Sequence, residues 1–163
     1  MNNKWSFLKD SYWYVPVKYL PALQMSPETT EPTQMIDQTV WQITGYNDGY
    51  FWGNCAALIY EAGTQPTNSP NAMRLVGTIT PEGTVQIAFM PIINIGASMA
   101  TSGFGKMKED NKQWVFEMQM SSGVTDLVAH WAEMYETSEG EPSWKKLPGT
   151  DYSVPDFLAA AGF

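Results

Sequence analysis

The chain has 163 residues, 44% of them hydrophobic and only 16% charged, enough apolar material for one packed domain and too little charge for a disordered segment. Its 17 acidic and 9 basic residues give a net charge of −8, and Arg74 is the only arginine, so it lacks the clustered cations that nucleic acids and anionic membranes require. Cys55 is the only cysteine, there is no Asn-x-Ser/Thr sequon, and no apolar run approaches the roughly 18 residues of a membrane span, so a reducing, cytoplasmic setting with no membrane partner is expected.

Short segments rich in β-branched and aromatic residues alternate with Gly, Pro, Asn and Asp, which predicts strands and turns with no long helix. The first strand is placed at Ser11 to Val15, with a turn or short helix between Pro16 and Pro21 and a long polar loop from Gln24 to Gln34. Thr39 to Thr44 and Tyr50 to Tyr60 then flank Asp48-Gly49, a strong hairpin signal. A polar loop from Gly63 to Asn71 precedes a second hairpin, Ala72 to Thr80 and Thr84 to Met90, turning at Pro81-Glu82-Gly83. In its later strand Val85, Ile87 and Phe89 share the buried face.

After a loop from Pro91 to Thr101, Gly103 to Lys108 and Gln113 to Met120 make a third hairpin, with Trp114, Phe116, Met118 and Met120 facing inward and Glu117 and Gln119 outward. Leu127 to Tyr135 is the eighth strand, although its glutamates also fit a short helix. Asp156 to Ala161 predicts one or two helical turns with Asp156 at the N-terminus. The expected fold is thus all-β: one domain forming an eight-stranded up-and-down antiparallel β-barrel with a short C-terminal helix. An open β-sandwich is the alternative. Closure removes exposed strand edges, and eight strands enclose room for side chains or one small ligand.

The segment Leu8-Lys9-Asp10-Ser11-Tyr12-Trp13-Tyr14, at the head of such a meander, resembles the first strand of the lipocalin-like (calycin) barrels, whose hallmark is Gly-x-Trp near the N-terminus. Ser11 stands in place of that glycine, and no arginine follows Arg74 to cover the tryptophan as in those barrels. The resemblance implies the barrel architecture and a hydrophobic ligand held in its mouth.

His130 is the only histidine and is flanked by apolar residues, so it is buried in part on either strand register. It is the candidate acid or base, and equally fits a core histidine bonded to a backbone carbonyl. Asn54 shares an alternating face with Tyr50, Trp52, Ala56 and Leu58, which makes it a candidate lone polar group inside an apolar pocket. Candidate ligand-binding residues are Trp41, Tyr50, Trp52, Asn54, Phe89, Trp114, Phe116, Met118 and Trp131. Aromatic residues are 13% of the chain and methionines number ten, more pliable apolar surface than a small core needs. Gly-x-Ser-x-Gly, phosphate-loop, dinucleotide and metal-ligand spacings are absent, so no metal or cofactor is expected, and Cys55 reads as an inert buried thiol.

Two functions follow from this pattern. One is binding of a small apolar or aromatic organic molecule in the barrel. The other is a small barrel enzyme, an isomerase, cyclase, lyase or hydratase, in which His130 or a tyrosine moves a proton. A third reading is an interaction module whose exposed aromatics meet a protein partner or a second copy, as in a homodimer.

Overall fold

The computed structural model describes residues 4–92, 101–123 and 126–163, so most of the expected loop between Pro91 and Thr101 lies outside the described residues. The strands are β1 (Ser11–Tyr14), β2 (Leu20–Met25), β3 (Thr33–Asn47), β4 (Tyr50–Glu61), β5 (Asn71–Ile79), β6 (Thr84–Pro91), β7 (Thr101–Asp110), β8 (Gln113–Gly123) and β9 (Leu127–Thr137). From β3 to β9 each strand pairs antiparallel with the next, and β1 and β2 both bridge β9 to β3, which closes the barrel. Nine strands therefore fill eight positions. The open sandwich is excluded.

The split first position is where sequence and structure differ most. Tyr14 faces Val40 and Leu20 faces Asp37, so six steps along the first position oppose three along β3, and the surplus residues loop out around Pro16. The Gln38 side chain fills the gap as a substitute strand. Its Oε1 accepts from the backbone N–H of Val15 and of Thr39, at 3.3 and 3.0 Å, and its Nε2 donates to the carbonyls of Val15 and Pro148, at 3.2 and 2.9 Å. A buried amide with all these partners answers the demand that unpaired backbone groups be satisfied. Pro21 lies inside β2 and not at a turn; β2 pairs with β3 alone at that point, so its missing N–H is tolerated. The expected loop from Gln24 to Gln34 shrinks accordingly to the residues between Met25 and Thr33.

The hairpins follow the turn chemistry. Asp48 and Gly49, and Asn111 and Lys112, adopt positive φ, the conformation that two-residue turns between twisted strands require. Leu127–Thr137 is strand throughout, so the helical alternative there is excluded. Two helices follow, α1 (Pro142–Lys145) and α2 (Val154–Ala161). Ser153 caps α2: its Oγ accepts from Asp156 N–H at 3.1 Å and donates to the Asp156 carboxylate at 2.6 Å, which fixes where the helix begins. Phe157, Leu158 and Val154 then pack on the outer face of the barrel against Val40, Ala56 and Leu58.

Inside, one end of the barrel is plugged. A 3-10 turn, Ser6–Leu8, carries Leu8 and the preceding Trp5 across the opening, both fully buried. The Trp5 indole N–H donates to the Thr80 carbonyl at 2.9 Å and its ring meets Trp114 edge-on at 4.9 Å. Above this plug, Trp13 meets Phe116 edge-on at 4.6 Å, Phe116 meets Trp41 edge-on at 5.4 Å, and Trp41 and Phe89 lie tilted at 5.6 Å, a column of rings rising through the lumen. Burial of each such ring stabilises the fold by about 1.5–3 kcal/mol. The barrel with a buried tryptophan on its first strand matches the architecture that the lipocalin resemblance implies. Trp13 is held by other partners: its N–H donates to Ser11 Oγ at 2.8 Å, which in turn donates to the Leu8 carbonyl at 2.5 Å.

Candidate functional site

The ring column stops at Trp41 and Phe89, and beyond it the lumen is open among the described residues. A cavity of about 310 Å³ occupies this end of the barrel, within the size range of small-molecule sites. Its walls are small or pliable: Cys55 and Ala57 from β4, Met73 from β5, Met120 from β8, Ala132 and Met134 from β9. Ile59, Asn71, Pro91, Thr101, Ser122 and Val128 line its outer part.

Strand alternation brings three polar side chains into this apolar space. On β3, Asp37 and Thr39 share the inward face of Trp41, and on β9, His130 shares the inward face of Ala132 and Met134. Asp37 is 3% exposed and the His130 side chain 11%. Thr39 Oγ1 donates to Asp37 Oδ1 at 2.8 Å. The other carboxyl oxygen, Oδ2, lies 3.9 Å from His130 Nδ1, beyond hydrogen-bond reach. Nδ1 is buried without a partner, the sole such side-chain atom among the described residues.

Burial pushes the Asp37 carboxyl above its ordinary value, with His130 and the Thr39 hydrogen bond opposing that rise in part. Burial also pushes the Cys55 thiol well up, and the nearby Asp37 carboxylate adds to it, so this sulfur stays protonated and is not a nucleophile.

The sequence-derived candidates divide three ways. Trp41, Phe89 and His130 line the cavity. Phe116 and Met118 face the lumen as expected but belong to the packed region below it, and Trp114 faces inward at the plugged end against Trp5. Tyr50, Trp52, Asn54 and Trp131 are on the outer face, which corrects the inward placement of Asn54 and its neighbours. On β4 it is Phe51 and Cys55 that point inward. Both faces of this strand are apolar because Ala56 and Leu58 pack under α2, so composition alone did not set its register.

Asn54 has its own outer-face role. It donates to Gln42 Oε1 at 2.7 Å, Gln42 donates to the Tyr12 hydroxyl at 3.1 Å, and Arg74 donates to Asn54 Oδ1, a polar ladder crossing four strands. Tyr50, Trp52 and Trp131 are about half exposed, at 59, 46 and 52%. Trp131 flanks Gln119 opposite Phe104 in an outer groove that also holds Lys106, Glu117 and Glu133.

Asp37, Thr39, Cys55, Met120 and Met134 are among the cavity residues absent from the sequence-derived candidates. Asp37 had a usable signal: extending the β3 alternation back from Trp41 through Thr39 places it on the inward face.

Among the described residues, no group of three or more His, Cys, Asp or Glu is arranged to hold a metal ion, and no helix is long and apolar enough to cross a membrane. No protein-family model, curated protein or solved structure matches this chain.

Proposed function

We propose that this barrel binds a small, largely apolar organic molecule in its open end. The observation that carries the reading is the 310 Å³ cavity: it interrupts an otherwise close-packed lumen, and its walls are apolar and pliable with a few convergent polar groups. Methionines on three strands give those walls adaptable shape. Trp41 at the floor supplies a reporter. Titration of naphthalene should give a saturable change in tryptophan emission, most of it lost in a Trp41→Phe variant that still folds. Absence of a saturable response to naphthalene and to larger apolar probes overturns the reading.

A proton-transfer enzyme is the second reading, favoured by the juxtaposition of a buried carboxyl with an unpartnered imidazole. Such a pair suits acid–base work on a bound molecule, with the apolar walls enforcing its conformation. Turnover of a bound compound that vanishes in His130→Leu while the compound still binds would establish it.

A further inference from the structure

The cavity wall contains a gap with defined chemistry. Asp37 Oδ1 is engaged by Thr39, which orients the carboxyl and leaves Oδ2 on the side of His130. Nδ1 and Oδ2 are 3.9 Å apart, too far to bond to each other and close enough to share a third atom. An oxygen about 2.8 Å from both would complete two hydrogen bonds with an angle of about 90° between them.

Which oxygen fits follows from proton counting. With one proton between them, the pair offers one donor and one acceptor, whichever of the two groups carries the proton. A hydroxyl group, which both donates and accepts, satisfies both. An ether or ketone oxygen only accepts, leaving one buried group unpaired. A carboxylate also only accepts, and it adds negative charge beside Asp37 in a lining that, among the described residues, contains no lysine or arginine. We infer that Asp37 and His130 form a hydroxyl-binding site, and that the molecule held in the cavity is a neutral phenol or alcohol whose single hydroxyl bridges Oδ2 and Nδ1. This rests on the cavity being the binding site, and it specifies what that cavity selects.

The test compares the affinities of naphthalene, 1-methoxynaphthalene, 1-naphthoate and 1-naphthol for the intact chain by calorimetry or tryptophan emission. 1-Naphthol should bind at least about tenfold more tightly than each of the other three, from its two hydrogen bonds to the pair. In His130→Leu and in Asp37→Leu the preference for 1-naphthol, read as the ratio of 1-naphthol to naphthalene affinity within each variant, should fall to about threefold or less. Equal affinity for naphthalene and 1-naphthol in the parent chain overturns the inference and leaves the cavity reading standing. So does a hydroxyl preference that survives both substitutions. Failure of all four probes to bind overturns the cavity reading and this inference with it. Equal affinities in the parent chain overturn the inference even if a variant fails to fold, and either folded variant suffices to read the loss of preference.

Discussion

At the plugged end of the barrel, Trp5, Trp13, Phe51 and Phe116 fill the lumen ring against ring, whereas at the open end Trp41 and Phe89 form a floor with little above it. The same strands build both ends. The difference lies in what faces the small inward residues. Gly77 and Gly105, toward the plug, are covered by Phe51 and Met118, which take the space a side chain would have used. Ala57, Ala132 and Cys55 line open space instead. One half is thus specified as core and the other as container. Only the container half holds a buried carboxyl facing an imidazole.

The largest effect should separate the two halves by stability. Phe116→Ala, which opens a hole where Trp13, Trp41 and Phe51 meet, should cost about 3–5 kcal/mol in chemical denaturation. Ile59→Ala, at the partly exposed edge of the cavity, should cost under about 1 kcal/mol. Similar costs at the two positions would break the division into core and container.

A second effect sharpens the contrast through pH. The Asp37 carboxyl is raised above 3.8 in the folded chain, so the fold holds that proton longer than the unfolded chain does. Its contribution is intact below the unfolded value and is lost as pH rises through the folded value, the reverse of an ion-paired carboxylate. The groups facing it are His130 from β9 and the protonated Cys55 from β4. The melting temperature of Asp37→Leu relative to the parent chain should therefore climb as the pH is raised above about 4. A flat difference across that range would remove the case for a buried, destabilised carboxyl.

The smallest effect concerns the outside. Lys108 pairs with Glu117 and Glu133, each at 2.6 Å, and these partners push its pKa up and that of Glu117 down. The cluster is partly exposed to solvent, so Lys108→Ala should cost no more than about 1 kcal/mol and leave probe affinity unchanged. A loss of affinity would move attention to the outer groove beside Trp131.

Much of the barrel was legible in the sequence because turns and alternation are local. Asp48-Gly49 and the run Trp114, Phe116, Met118, Met120 each specify their structure within a few residues. What was not legible depends on distant partners. The Gln24 to Gln34 stretch looks like loop, yet its two ends are strand: Gln24 and Met25 pair with Val128 and Leu127 of β9, and Thr33 and Gln34 pair with Gln24 and Leu23 of β2. The inward face of β4 was read in the wrong register because α2, about a hundred residues later, makes the outer face equally apolar. His130 stood out as the lone histidine. Its partner Asp37 did not, since nothing in local spacing joins two residues brought together across the break in the first strand.

If the open end of the barrel holds the ligand, a side chain that fills that end should displace it. Ala132 faces the cavity from β9 and is almost fully buried. In Ala132→Phe, naphthalene affinity should drop by at least about tenfold while the melting temperature holds or rises, because the new ring occupies existing space. Unchanged affinity in a folded Ala132→Phe chain would place the ligand outside the lumen and contradict the account.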